Sequence, residues 1–184
     1  MAGILIRFMC SSFTDGAAAD LLAGPAISAP PSAPRIIGSV ARSGNGLLDY
    51  HDRLSQAADA AWGIGPCDSD LVELHDATAP EEIYAPRITW VFGLGEAGPI
   101  TEAGHTGVDM PGLVVKSSGG LVGRGRPLGA TGLAQVVELG AQIRGRAGAR
   151  QVTGARLGLA VNAGGIIKGD AGFIGLHAVR SGFS

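Results

Sequence analysis

The chain has 184 residues, a formal net charge of -2 and 16% charged residues. A chain of this length is expected to form one ordinary domain with a buried core, and its charge gives no electrostatic basis for binding nucleic acid or an anionic membrane surface. No apolar run approaches the roughly 18 residues of a membrane span, and Arg7 interrupts the short apolar start, which argues against a signal peptide. Its two cysteines form no disulfide framework, so we expect a cytoplasmic protein.

Strand patterns alternate with helical patterns along the chain. Residues 1–24 form a strand-and-turn piece, and residues 25–34 contain four prolines, which is typical of a linker. Further strands are predicted at 36–40, 71–75, 113–115, 157–161 and 173–179, and helices at 52–62, between Thr78 and Pro86, and at 128–144. This alternation favours an α/β unit with a buried, mixed sheet.

Glycine is the compositional outlier, with 31 residues among 184 against a usual share of about 7%. The glycines occur in pairs and short motifs, which indicates turns and close backbone approaches, as around a ligand. Residues 93–98 match the dinucleotide-binding fingerprint G-x-G-x-x-G. Because Pro99 and later glycines predict no following helix, we attribute this match to the glycine content.

The strongest local signal for a site covers residues 117–132. A predicted strand leads into glycines, and these lead into the longest helix, with Pro127 near its start. Free backbone N–H groups at a helix N-terminus favour an anion or a developing oxyanion, and Arg124 and Arg126 add positive charge there. A glycine-rich connection with two solvated arginines would explain the same pattern without a site.

Four segments, in order, resemble one family. "SSGGLVGRGRPLGATGLAQVVEL" (117–139) is similar to the glycine–histidine–proline motif of thiolases, most like the sterol-carrier-protein type, and "LVELHDATAPEE" (71–82) resembles that group's His-Asp segment. "CSSFTDGAAA" (10–19) resembles the last strand of the family's N-terminal domain, and "GLAVNAGG" (158–165) its final catalytic loop. The resemblance covers nearly the whole chain.

The resemblance implies a fold of two similar α/β halves, each a five-stranded mixed sheet with helices on both faces, packed together through central helices. The N-terminal half would supply the cysteine that takes up an acyl group from coenzyme A, and the C-terminal half a histidine that activates it. In this mapping residues 1–24 are a remnant of the N-terminal domain, residues 25–34 a linker and residues 35–184 the C-terminal domain. The helix at 128–144 would be a central helix.

The resemblance also implies catalytic positions at His75, Arg126 and Asn162. His75 would help to hold a water or the thioester oxygen, where a donor stabilises negative charge; a structural histidine at a strand end is the alternative. Arg126 replaces the motif histidine and cannot serve as a base, and Asn162 stands where biosynthetic-type thiolases carry an acid/base cysteine. Lys116 replaces an asparagine of the family. Substrate-binding positions are predicted at Ser118, Gly119, Gly120, Gly164 and Gly165.

We therefore expect a thiolase-type acyl-CoA acyltransferase half that is impaired or inactive alone, with a coenzyme A thioester as substrate and no further cofactor. His105 and His177 have no neighbours at metal-ligand spacing, so no metal is expected. A separate N-terminal half or self-association through the apolar face would supply the partner. The alternatives are a non-enzymatic acyl-CoA-binding remnant, or a carbon–carbon lyase (aldolase) subunit, for which Tyr50 and Tyr84 are the only tyrosines.

Overall fold

The computed structural model describes residues 5–24, 26–27, 29–48, 52–53, 56–57, 68–88, 92–93 and 95–182. The strands are β1 (Arg35–Ser43), β2 (Leu71–Glu73), β3 (Val114–Val115), β4 (Leu157–Ile167) and β5 (Asp170–Arg180). The α-helices are α1 (Glu81–Ile88), α2 (Ala97–Glu102), α3 (Gly120–Arg124) and α4 (Thr131–Ile143). Within these ranges, no helix is long and apolar enough to cross a membrane.

The five strands form one mixed sheet in the order β1-β5-β4-β2-β3. The strand β5 is antiparallel to both β1 and β4, and β2 is parallel to both β4 and β3. Successive side chains of a strand point to opposite faces, so Leu159 and Ala160 enter two different apolar clusters. One cluster contains Leu139 of α4 and the other contains Ala57 of the helical residues 56–57. The predicted α/β fold, a mixed five-stranded sheet with helices on both faces, is confirmed.

The hairpin of β4 and β5 is longer than the sequence predicted. Its turn residues Lys168 and Gly169 have φ angles of 51° and 89°, and positive φ at both central residues is typical of a type I′ turn, which continues the twist of the flanking strands. The segment 158–165, predicted as a catalytic loop, therefore lies within β4. As a consequence, Asn162 is held by a strand and pairs with Gly175.

The helix α4 starts at Thr131 and not at Leu128 as predicted. The backbone N–H and the hydroxyl of Thr131 both donate to the carbonyl oxygen of Pro127, at 2.9 and 2.7 Å, so residues 128–130 form a turn that leads into the helix. The side chains of Leu133 and Val137 remain 39% and 38% exposed. This apolar face is the one expected to meet a partner.

The prediction that no helix follows the glycine motif at 93–98 is wrong, because α2 starts at Ala97 and includes Pro99. Proline is tolerated in the first helical turn, where backbone N–H groups have no intrahelical partner. The described residues 92–93 before it are not in a strand, so this correction adds no support for dinucleotide binding. Of the helix predicted at 52–62, residues 52–53 and 56–57 are helical and the others lie outside the described residues.

The N-terminal segment lies against the two motifs that the sequence analysis singled out. Cys10 forms an isolated antiparallel bridge with Thr78, and Phe13 forms a parallel bridge with Arg126. The backbone N–H of Arg126 donates to the carbonyl oxygen of Ser12 at 2.9 Å. Residues 10–13 thereby join the His-Asp segment to the glycine–arginine turn; the assignment of 1–24 and 25–34 to a domain remnant and a linker stays a prediction.

Candidate functional site

His75 and Asn162 are brought together by parallel strand pairing. Glu73 of β2 pairs with Ala160 of β4, and both candidates lie two residues further along their segments, at corresponding positions. Because alternate residues point to the same face, their side chains meet, with 2.6 Å between His75 Nδ1 and Asn162 Oδ1. This contact is the centre of the candidate site.

The contact with Asn162 also defines the tautomer of His75. An amide oxygen can only accept a hydrogen bond, so the nitrogen that faces it, Nδ1, carries the hydrogen. Burial lowers the pKa of His75, and the nearby charge of Arg126 lowers it further, against the opposing effects of Asn162 and Asp76. The imidazole is therefore neutral at pH 7. Its Nε2 atom has no hydrogen-bond partner among the described residues.

Arg126 lies beside this pair and is fixed by the N-terminal segment. Its guanidinium carbon lies 4.8 Å from the centroid of the Phe13 ring, a cation–π arrangement. Its Nε atom is buried without a hydrogen-bond partner in the described part of the chain. The preceding Gly125 has a φ of 90°, and a Cβ there would lie 2.5 Å from a methyl carbon of Thr14, so only glycine fits this approach.

An open cleft begins next to Arg126. It has a volume of about 430 Å³ and is lined by residues 14–18 of the N-terminal segment and by residues 127–130 before α4. Five of its lining residues are glycine or alanine, at 16–18 and 129–130, which leaves space beside the backbone. The cleft adjoins Arg126 in the chain through Pro127.

The anion site predicted at the start of the longest helix, α4, stays a prediction. The N-terminus of the short preceding helix α3, which the sequence patterns did not predict, is occupied by the protein's own carboxylate. Asp76 is fully buried and accepts from the backbone N–H of Leu121 at 2.6 Å. It also accepts from Lys116 Nζ at 3.0 Å. The N–H groups of Gly119 and Gly120 donate within the same turn. Both N–H groups are thus used for hydrogen bonds within the protein. The substrate-binding role of Gly119 and Gly120 stays a prediction.

Ser118 faces a buried carboxyl group beneath the turn. Its backbone N–H and its hydroxyl donate to the two carboxyl oxygens of Glu73, at 3.0 and 2.5 Å. The hydroxyl of Ser117 lies 3.1 Å from Glu73 and 3.2 Å from Glu138. Burial raises the pKa of Glu73 despite these hydrogen bonds. This network was not predicted from the sequence, although Glu73, a glutamate inside the apolar run of β2, could have indicated a buried carboxyl group.

Gly164 and Gly165 lie further along β4, beyond Asn162 and toward the hairpin turn. Both are exposed, and Gly165 has a φ of 71°. The strand thus carries them away from the pair of His75 and Asn162, and their substrate-binding role also stays a prediction. Among the described residues, no group of three or more potential metal-ligating side chains is present.

Comparison with known proteins identifies the family to which the chain belongs. The model of the family "Thiolase C-terminal domain-like" matches residues 47–174. The chain is 36% identical over 167 residues to an acetyl-CoA acetyltransferase of Methanothermobacter thermautotrophicus, covering 85% of this chain and 43% of that protein. It is 40% identical over 136 residues to sterol carrier protein 2 of Rattus norvegicus, covering 72% of this chain and 24% of that protein.

A solved structure described as an Ltp2-ChsH2(DUF35) aldolase matches with a TM-score of 0.67 at 16% identity, over 82% of this chain and 40% of that one. At this identity the match shows a shared fold. The chain spans less than half the length of the two curated relatives described above. With the family model covering 47–174 and relatives of more than 30% identity, the chain belongs to the thiolase family, as a thiolase C-terminal domain-like protein.

Proposed function

We propose that this domain acts in thiolase-type acyl-CoA chemistry together with a half that carries a nucleophilic cysteine. The observation that carries the proposal is the contact of His75 with Asn162 after the end of β2, with the charge of Arg126 near enough to lower the pKa of His75. The relative named acetyl-CoA acetyltransferase supports a coenzyme A thioester as the substrate. We propose a cytoplasmic location for this activity.

Arg126 would contribute charge and no proton transfer. A guanidinium stays protonated at physiological pH and presents donors in a fixed fork, so it suits a thiolate or the oxygen of a tetrahedral intermediate, where negative charge develops. Its ring contact with Phe13 limits its rotation. A fixed cation requires little reorganisation when charge appears, which is the condition for effective electrostatic stabilisation.

The apolar face of α4 would receive the partner half. Leu133 and Val137 lie one helical turn apart on this face and are both more than a third exposed. Leu128, in the turn before the helix, is 67% exposed. Apolar side chains grouped in this way favour burial against another protein surface, and without a second half they favour self-association.

Calorimetric titration with acetyl-CoA tests the binding part of the proposal. The full chain should bind, and Arg126→Gln should weaken binding at least tenfold, whereas the matched variant Arg146→Gln, of an exposed arginine, should leave it unchanged. Titrations that release no heat at millimolar ligand would contradict acyl-CoA binding. Addition of a separately purified thiolase N-terminal half then tests activity, measured as thioester cleavage.

A non-enzymatic acyl-CoA-binding role is the second candidate. It is favoured by the replacement of the motif histidine by Arg126, because binding needs a cation and catalysis needs a base. Acetyl-CoA binding without thioester cleavage, after a cysteine-bearing half has associated, would select this role. The carbon–carbon lyase alternative is supported by the fold alone, and it would be indicated by cleavage in the absence of any cysteine.

A further inference from the structure

One ring nitrogen of His75 has no hydrogen-bond partner among the described residues. Its Nδ1 atom lies 2.6 Å from Asn162 Oδ1 and donates to it, so in the neutral ring the lone pair is on Nε2. Nε2 has no described protein partner, and it is not one of the buried unpartnered nitrogen atoms. Within the described residues its lone pair is therefore free to accept a hydrogen bond.

A donor role at Nε2 conflicts with this geometry. It would require the other tautomer, in which a lone pair of Nδ1 faces the carbonyl oxygen of Asn162 at 2.6 Å. Otherwise it would require the imidazolium form, which burial and the positive charge of Arg126 both disfavour. The donor role that the family resemblance implied for this position does not fit these contacts.

The three side chains that interact with His75, namely Asn162, Arg126 and Asp76, cannot accept a proton in its place. Arg126 is a permanent cation and Asn162 is a neutral amide, so neither is a base at physiological pH. The two carboxyl oxygens of Asp76 are already bonded, one to the backbone of Leu121 and one to Lys116. His75 is left as the acceptor that faces Asn162 and Arg126.

From these contacts we infer that His75 Nε2 is the proton acceptor of the site and takes the proton of the coenzyme A thiol, an assignment that rests on the proposed function. The S–H bond breaks, its electron pair remains on sulfur, and the proton forms an N–H bond at Nε2. The resulting thiolate would lie beside the guanidinium of Arg126, which stabilises it. The thiolate then attacks the acyl group held as a thioester on the cysteine of the other half, so that a C–S bond to coenzyme A forms and the cysteine leaves as a thiolate. When that cysteine attacks the next substrate and the carbon–carbon bond breaks, the imidazolium gives its proton to the departing carbanion.

Long-range ¹H–¹⁵N correlation spectra of the full chain, labelled at histidine, test the tautomer without any activity measurement. The four histidines are assigned from His→Gln variants. At pH 7, His75 should show a protonated Nδ1 and an unprotonated Nε2, with a pKa below the usual 6.5. Arg126→Gln should raise this pKa, because it removes the cation and leaves Asp76 and Asn162 in place. A protonated Nε2 in the neutral ring would overturn the inference.

Titration with coenzyme A tests the assigned proton donor. Binding should move the Nε2 resonance of His75 by more than that of His177, which pairs with Ser39 on the strands β1 and β5 and serves as the internal control. Calorimetric binding without any change at Nε2 overturns the assignment of His75 and leaves the proposed function intact. If coenzyme A does not bind, the proposed function fails, and the tautomer still decides whether Nε2 is an acceptor.

Discussion

Replacement of Asp76 by alanine tests whether the His-Asp motif supports the site through the backbone. The change removes the acceptor of the Leu121 N–H at 2.6 Å and one of the two carboxylates that bind Lys116 Nζ. The other carboxylate is that of Glu82, whose Oε2 atom lies 2.7 Å from Lys116 Nζ and is unaffected by the change. Leu121 is fully buried, so water cannot replace the lost acceptor without opening the turn.

The expected cost follows from these contacts. A hydrogen bond to a charged group contributes about 1.5–3 kcal/mol, and removal of one partner from a buried ion pair costs about 3–5 kcal/mol. Because Lys116 keeps Glu82, the lower end applies, and we expect the free energy of unfolding to fall by about 3 kcal/mol. For a chain of this size, that corresponds to roughly 6–12 °C in Tm.

Urea denaturation followed by circular dichroism measures this loss. Asp76→Asn keeps an oxygen for the Leu121 N–H and should lose less than Asp76→Ala. Asp109→Ala, at an exposed carboxylate, is the matched control and should stay within about 0.5 kcal/mol of the native chain. A loss of less than about 1 kcal/mol in Asp76→Ala, the value of a surface ion pair, would refute the buried, backbone-anchoring role.

Three further changes test other parts of the structure. The hydrogen bond from Arg53 holds the pKa of Asp170 below its usual 3.8, although burial acts in the opposite direction. Arg53→Met removes this partner, so the loss in free energy of unfolding should be largest at neutral pH. The loss should become smaller in unfolding curves measured below pH 3.8, where Asp170 is protonated in the unfolded chain. Burial raises the pKa of Glu73, so ionisation of this carboxyl group destabilises the native chain as the pH rises. Glutamine does not ionise, and the decrease in urea midpoint caused by Glu73→Gln should therefore be smaller at pH 8 than at pH 5. Gly158→Ala places a Cβ 2.6 Å from a methyl carbon of Leu139 and should cost about 1–3 kcal/mol by thermal unfolding; an unchanged Tm would show that α4 can shift.

The sequence could predict the fold because the strands follow simple patterns. Alternation in β2 and the family motifs located the sheet and the helices. The length of the β4–β5 hairpin could not be predicted in this way, since it depends on a type I′ turn at Lys168, a residue that rarely adopts positive φ. Pairing across that hairpin, between Asn162 and Gly175, is a long-range property that periodicity does not contain.

The site was predicted in part. The family motifs indicated His75, Asn162 and Arg126; the structure places His75 in contact with Asn162, and the charge of Arg126 lowers the pKa of His75. The motifs could not indicate that Asp76 and Glu73 accept hydrogen bonds from the glycine-rich turn. Those hydrogen bonds depend on how β2 and α3 pack against each other. Glu138 was also missed, since it appears in sequence as one polar residue on an apolar helix, whereas the structure buries it beside Ser117.

Two substitutions relative to the family motifs are accommodated by the rest of the chain. Lys116 adopts a φ of 57°, a left-handed conformation that costs a residue with a Cβ about 1–2 kcal/mol, and its ammonium group binds both Asp76 and Glu82. Arg126 is stacked on Phe13, a residue of the segment that also bridges to the His-Asp motif. The two cations therefore differ, because Lys116 is held by two carboxylates, whereas Arg126 forms no ion pair within the described residues. The charge of Lys116 is balanced inside the fold, and the charge of Arg126 is left to act on the neutral His75 and on a ligand.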